Sequence, residues 1–283
     1  MIPKIIIYCC ILIFVGFFAW IYRSREHKDT FENVTPKLII SMTTSPSRIH
    51  KLQPVIDSIM NQTSDFDYLQ LNLPKKFGRT GETYAIPSYL QNNPKIVIHQ
   101  PEMDYGPITK IKGSIDTLNS DSDTWIIYLD DDIKYPPNMI SYYKKYAQKY
   151  GKQCAYAPCG FNYNPIKIFD WGTYGFINVP EGYGSVCIHR SHIKDDFENY
   201  VQTSIRNNDC KFSDDILMGM YLTKHNIPVK QIYEDDFNDK YILKKCVLSY
   251  GNEGDALHNQ GSQNEGDNGH KEKYRRCVAF LQN

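Results

Sequence analysis

The sequence predicts an α/β fold with a mostly parallel central sheet, Rossmann-like at its start and preceded by one N-terminal transmembrane helix. Three observations carry this prediction. Apolar runs of strand length, Leu38–Met42, Leu69–Leu73, Lys95–His99 and Trp125–Leu129, are separated by segments whose apolar residues recur at helical spacing. Strand, helix and strand in that order describe a right-handed parallel unit. The stretch from Ile5 to Tyr22 holds no charged residue.

That stretch has 18 residues, which at ~1.5 Å rise just reach across a thin bilayer core. A cleaved signal peptide is the competing reading. The run ends in GFFAWIY, without a small-x-small cleavage site, so residues 1–22 are expected to be an uncleaved signal-anchor. Polar, charged residues 23–37 then form a stem, and the folded domain covers 38–283.

LIISMTT opens the domain as a strand. Ser45 beside Pro46 is the expected N-cap of a helix carrying Ile49, Leu52, Val55, Ile56, Ile59 and Met60. In LQLNLP, Leu69, Leu71 and Leu73 alternate as in a half-buried strand. KIVIH is a third strand. DYGPITKIKGSIDTL begins with a turn at Gly106-Pro107 and continues as a helix bearing Ile108, Ile111, Ile115 and Leu118. WIIYL follows as a strand buried on both faces, then a helix through Met139, Ile140, Tyr143, Tyr146, Ala147 and Tyr150. Beyond Gly151 the pattern loosens into strands joined by long Gly- and aromatic-rich loops. A final helix spans about Asp214–Lys224, with Ile216, Leu217, Met220 and Tyr221 on its apolar side and Ser213 as its cap. The tail Gly251–Lys273 is rich in Gly, Asn and Asp, and is either a flap or disorder.

Composition excludes little. Lys plus Arg equals Asp plus Glu, so no overall field argues for nucleic acid. Of eight cysteines, Cys9 and Cys10 lie in the apolar span. The other six permit three disulfides of open pairing, with buried free thiols as the equal alternative. No CxxC pair occurs, which argues against a structural zinc site.

The chemistry-bearing feature is Asp130, Asp131 and Asp132, directly after the WIIYL strand. Three adjacent like charges beside a core strand need compensation, and a divalent cation with a bound phosphate supplies it. In an extended segment residues i and i+2 share a side, so Asp130 and Asp132 are expected to hold one ion while Asp131 faces elsewhere. A solvated acidic turn is the bland reading, since Pro136 and Pro137 follow. Asp214 and Asp215 open a helix, where acids stabilise the positive end or deprotonate a hydroxyl. His258 is a metal-ligand candidate or a solvated loop residue. Asp104 and Lys110 are expected to contact a nucleotide and a phosphate, with a surface helix position as the bland reading of Lys110.

The ordered set LIISMTTSPSRI, DYGPITK, IIYLDDDIKYP, EGYGSV and SDDILMGMYL resembles the GT-A-fold, nucleotide-sugar-dependent glycosyltransferases over roughly Leu38 to Asn259. The triplet looks like their DxD signature. The resemblance implies Mn²⁺ or Mg²⁺ as cofactor and a UDP- or GDP-sugar as donor. A glycan or protein hydroxyl is the implied acceptor. It implies that Asp132 ligates the metal and that Asp130 contacts the donor ribose or the ion's water shell, with Asp131 sharing either task. Thr43, Thr44 and Arg48 would border the nucleotide. Asp214 or Asp215 would be the base of an inverting enzyme, and His258 a further metal ligand, though no flanking motif secures it. If neither acid reaches the anomeric face, the enzyme is retaining. The resemblance also favours a lumenal, type II domain in the endoplasmic reticulum or Golgi. Sequons at Asn33 and Asn61 agree with that, whereas Lys4 before the span against Arg23, Arg25 and Lys28 after it argues for the cytosol. Two alternatives remain open: a catalytically silent, membrane-tethered glycan-binding protein, and a two-metal nucleotidyltransferase.

Overall fold

The structure, a computed structural model, describes residues 36–163, 175–232, 246–247 and 267–282. The predicted membrane span, Asn33 and His258 lie outside the described residues. Among the described residues no helix is long and apolar enough to cross a membrane.

Residues alternating along a strand point to opposite faces, so a strand covered on both sides must be apolar throughout. β1 (Lys37–Thr43) and β4 (Thr124–Tyr128), which pair in parallel at the centre, come close to this pattern, with Ser41 and Thr124 as buried polar exceptions. β2 (Tyr68–Asn72) and β3 (Ile96–His99) extend the sheet beyond β1, also in parallel. On the other side lie β10 (Val186–His189), β6 (Ala155–Ala157), β11 (Val229–Gln231) and β8 (Phe176–Ile177). The order is β3-β2-β1-β4-β10-β6-β11-β8, with β10 and β8 reversed. This mixed, mostly parallel sheet is Rossmann-like. Two-stranded ribbons pair β5 (Ile133–Lys134) with β12 (Cys246–Val247), and β7 (Gly160–Phe161) with β9 (Val179–Pro180).

Helices cover both faces. Leu38, Ile40, Met42 and Ile127 pack with the residues of α1 (Gln53–Met60) and α4 (Met139–Tyr150). Ile39, Ile126 and Tyr128 pack with α3 (Thr109–Thr117), α5 (Phe197–Ser204) and α7 (Asp214–Lys224). A short α2 (Ser88–Gln91) precedes β3, and α6 (Asn208–Lys211) precedes α7.

Several sequence expectations are corrected. The first helix begins at Gln53, with Pro54 in its first turn; Ile49–Lys51 is a separate 3-10 turn, and Ser45 contributes its carbonyl to Arg48 and Ile49 instead of a side-chain cap. Nor does Ser213 cap α7 with its hydroxyl, which donates to the Asp209 carbonyl at 2.6 Å. β2 is buried on both faces, because Gln70 and Asn72 join a polar network under α3. Asn72 Nδ2 donates to Ser41 Oγ at 3.0 Å, and Gln70 Nε2 donates to the Asn72 amide oxygen at 2.9 Å and the Gly113 carbonyl at 3.1 Å. A Cβ at Gly113 would lie 2.3 Å from Asn72 Oδ1, so only glycine lets α3 approach this closely. The tail is not wholly irregular, and Asp214–Lys224 is not the last helix. Asp267–Leu281 forms α8, which buries Tyr274, Cys277 and Val278 at one-turn spacing.

Of the described cysteines, Cys210 and Cys277 form a disulfide, whereas Cys154, Cys159 and Cys187 form none. The pairing joins α8 to α6. One of the three disulfides that the sequence permits is therefore present among the described residues.

Candidate active site

The C-terminal edge of the parallel strands is where open α/β sheets bind ligands, because loops leaving adjacent strands diverge there. Four such loops, after β1, β2, β3 and β4, meet at this edge. β10 is antiparallel to β4, so its entrance lies at the same edge and brings the Gly182–Gly184 turn into the group. The start of α7 adds Asp214. The four loops and the start of α7 line a cavity of about 180 Å³, with the Gly182–Gly184 turn packed behind it. Its lining includes Thr43, Thr44, Arg48, Asp104, Lys110, Asp130, Asp131, Asp132 and Asp214. Nine residues selected from sequence thus share one cavity, although they span more than half the domain.

The acids are compensated unequally. Arg48 Nη1 lies 3.0 Å from Asp131 Oδ1 and 3.3 Å from Asp132 Oδ2. Thr44 Oγ1 donates to Asp131 Oδ2 at 2.5 Å, and Tyr84 OH donates to the Thr44 carbonyl at 2.9 Å. Asp130 takes a different partner, Lys110 Nζ at 2.5 Å, and the same ammonium lies 2.7 Å from Asp214 Oδ2. Asp130 and Asp132 thus take different protein partners, Lys110 and Arg48. The strand ends at Tyr128 and the chain bends at Asp131 and Asp132, so the alternate-side rule stops applying before the triplet. Tyr135 fixes the bend: its hydroxyl accepts from the Asp130 amide at 2.9 Å and donates to the Asp130 carbonyl at 3.2 Å.

Electrostatics follow from this shortage of cations. Burial, reinforced by Asp130 and Asp131, pushes the Asp132 carboxyl up to about 7 despite Arg48. Burial and the neighbouring Asp214 push Asp215 well above the usual carboxylate range. Burial opposes the charge on Lys110, but Asp130, Asp214 and Asp215 outweigh it and hold the ammonium charged.

Other expected residues take more local roles. Thr43 Oγ1 donates to the Asn72 carbonyl at 2.7 Å. Asp104 accepts from the Gly78 amide at 2.6 Å and the Gly106 amide at 2.8 Å, tying together two loops that both border the cavity. Asp215 is not in the lining; its Oδ1 accepts from the Gly182 amide at 2.8 Å behind Lys110. His258 is outside the described residues.

Sequence reasoning missed Phe77, Arg79, Tyr84, Lys211 and Phe212, which also line the cavity. Arg79 Cζ stacks 4.8 Å from the Phe77 ring centre. The available signal was an aromatic and an arginine in the polar loop directly after β2. Lys211 and Phe212 are held from behind by α8, where Lys273 Nζ donates to the Phe212 carbonyl at 2.7 Å and Arg276 chelates Asp209 at 2.8 and 3.1 Å.

A divalent cation is tested here by the donor set. Among the described residues no three His, Cys, Asp or Glu side chains converge as a closed cage. The oxygens of Asp130, Asp131 and Asp132 are nonetheless hard donors beside an under-compensated cavity. Mg²⁺-type sites take only one or two carboxylates and complete their shell with water and substrate phosphate. The residues fit such a site.

No protein-family profile matches the chain, and no curated protein sequence does. Among solved structures, the chain is similar to Staphylococcus aureus TarS 1–349 in complex with UDP, at 11% identity and a TM-score of 0.44, covering 71% of this chain. It spans 62% of that TarS chain. It is also similar to the mannosyltransferase PcManGT from Pyrobaculum calidifontis in complex with GDP-Man and Mn²⁺, at 10% identity and a TM-score of 0.38, covering 95% of this chain and 83% of that one. A third similarity is to the Francisella tularensis 2-C-methyl-D-erythritol 4-phosphate cytidylyltransferase, at 16% identity and a TM-score of 0.39, over 71% and 96% of the two chains.

Proposed function

We propose that the protein is a metal-dependent glycosyltransferase that moves a sugar from a nucleoside-diphosphate sugar to a hydroxyl acceptor with inversion. The observation that carries this reading is the single cavity at the carboxyl edge of β1 and β4, lined by the acid triplet, Arg48 and Asp214 together. A diphosphate leaving group needs charge neutralised as the glycosidic bond breaks. A divalent cation held by Asp132 and Asp130 supplies that as a Lewis acid when bound. Arg48, already against Asp131 and Asp132, sets the triplet's orientation and adds positive charge at the donor's side. Thr43 and Thr44 border the nucleotide from the end of β1. Asp214 is the general base. It takes the acceptor's proton as that oxygen bonds to the anomeric carbon and the bond to the diphosphate oxygen breaks. Asp215, bonded to Gly182, supports the base from behind.

The test is the full chain incubated with a panel of UDP- and GDP-sugars and Mn²⁺, with release of nucleoside diphosphate as the readout. Metal-dependent release from one donor is expected. Glycan binding without release from any donor would replace this reading with that of a silent binding protein. Placement in the lumen is part of the proposal. Asn61 is exposed beyond the end of α1, so its sequon is sterically open. A glycosidase-sensitive mass shift at Asn33 or Asn61 is expected, and its absence in a secretory host would favour the cytosolic orientation.

A further inference from the structure

Two lysines of α3, Lys110 and Lys112, are buried to a similar degree, with 4% and 3% of their side chains exposed. Their partners differ. Lys112 lies 2.5 Å from Asp116 and 2.5 Å from Glu198, carboxylates that remain 35% and 49% exposed and do not line the cavity. It ties α3 to α5 and has no reach to the site. Lys110 is enclosed by site carboxylates alone. Its ammonium lies between Asp130, at the exit of β4, and Asp214, at the start of α7, with Asp215 adding its field from behind.

The enclosure is built from backbone as well. The Lys110 carbonyl accepts from the Ser41 hydroxyl and from Asn72 Nδ2 at 3.3 Å, which fixes the stem of the side chain to the sheet. On the opposite side Gly182 closes the space. A Cβ there would lie 2.7 Å from Lys110 Nζ and 3.2 Å from Asp130 Oδ1. Gly182 does not have a positive φ, so what requires glycine is this close approach and not a special turn. A long cation buried this deeply is expensive to keep unless its position matters. Here that position lies between the acid expected on the donor side and the acid expected on the acceptor side.

We propose that Lys110 is a resident counter-ion which holds Asp214 against Asp130 and competes with a divalent cation for the Asp130 carboxylate. This rests on the reading of the cavity as a metal-dependent transferase site, and it reassigns Lys110, expected from sequence to face a phosphate. Lys110 is a positioning residue. It keeps the two acids together before ligands arrive, and it sets how strongly a cation must bind to recruit Asp130. A carboxylate cannot serve an ammonium at 2.5 Å and a metal ion equally, so removing the ammonium strengthens the cation's hold.

The experiment is direct Mn²⁺ titration of the full chain without nucleotide, followed by the water-proton relaxation of the bound ion. Lys110→Met is expected to bind Mn²⁺ at least about tenfold more tightly than wild type, the scale expected when a unit charge a few ångströms away is removed. Lys110→Arg, which keeps the charge, is expected to restore near-wild-type affinity. Gly182→Ala leaves every charge in place but crowds the ammonium away from Asp130, and is expected to tighten binding in the same direction. It decides the matter should Lys110→Met fail to fold. Wild-type affinity in folded Lys110→Met, or in Gly182→Ala, overturns the role of Lys110 while leaving the metal-dependent reading intact. No Mn²⁺ uptake by wild type or either variant removes both.

Discussion

β4 and β10 lie side by side, and charged residues gather at both ends of the pair. The two ends solve the same electrostatic problem in opposite ways. At the Tyr128–Val186 end, Asp130, Asp131, Asp132, Asp214 and Asp215 face Lys110 and Arg48, and the group opens on a cavity. At the Trp125–His189 end the charges balance and the rings are packed. Asp123 Oδ1 is 2.7 Å from Lys152 Nζ and 2.9 Å from His189 Nε2. His189 Nδ1 accepts from the Ser191 amide at 3.2 Å. His192 accepts from the His189 amide at Nδ1, 3.2 Å away, and donates from Nε2 to the Lys152 carbonyl at 2.8 Å. Both imidazoles pack edge-on against Trp125. Every polar atom of the two rings has a protein partner. What separates the end proposed to be functional from the structural one is its excess of negative charge, since a sheet edge built only for stability pairs its ions among themselves.

The largest expected effect is at the open end. Asp132→Ala removes one carboxylate of the triplet while its neighbours stay paired with Arg48 and Lys110, and turnover is expected to fall on the order of 10³-fold, the scale of losing one essential electrostatic group. Thermal unfolding should barely change, because the variant also relieves repulsion from Asp130 and Asp131. Turnover within tenfold of wild type would remove Asp132 from the metal site. Next in size is the pair Asp214→Asn and Asp215→Asn. The first is expected to lower kcat by roughly 10²-fold or more with little change in KM for the donor, the range for loss of a general base. The second keeps an oxygen able to accept from Gly182, so its loss should be several-fold smaller. Equal, mild losses in both would remove Asp214 as the base.

The same contrast explains how much could be read from sequence. WIIYL was legible as a doubly buried strand because both of its faces are covered by helices, which leaves an unbroken apolar run. Asp214–Lys224 was legible because helix-starting acids and apolar spacing agree. The acid triplet marked the site, but its wiring was hidden. Arg48 reaches Asp131 across 83 residues and Lys110 reaches Asp130 across 20, and neither distance leaves a local signal. Gln70 and Asn72 passed for solvent-facing residues because their partners, Ser41 on β1 and the Gly113 carbonyl on α3, come from elsewhere in the chain. α8 was masked by the Gly- and Asn-rich residues before it. Its stability comes from tertiary contacts such as the Cys210–Cys277 disulfide and Tyr274 stacked 6.2 Å from Phe161, not from local propensity.

At the sealed end the effects should appear in stability and not in turnover. Burial depresses the His192 imidazole to about 4, from an ordinary value of 6.5. Between those values the unfolded chain binds a proton that the folded one refuses. The stability His192 confers is therefore complete above pH 6.5 and is lost as pH falls through about 4. The full loss is about 3 kcal/mol for a shift of this size. Urea unfolding measured across that window should show a steeper decline in wild type than in His192→Gln, and parallel curves would mean that the ring is protonated in the fold.

The smallest effect is expected at Asp123, and it is the sharpest test of the contrast. Its side chain is 43% exposed, so solvent screens its pairs with Lys152 and His189, and such pairs contribute about 0–1 kcal/mol. An asparagine amide at this position would retain an oxygen for the His189 Nε2 proton, so Asp123→Asn should cost less than about 1 kcal/mol in unfolding free energy. It should leave kcat unchanged, because the pair sits at the opposite end of β4 from the cavity. If kcat fell as it does in Asp214→Asn, charge at one end of the strand would be governing chemistry at the other. The division between a balanced structural end and an unbalanced functional one would then be lost.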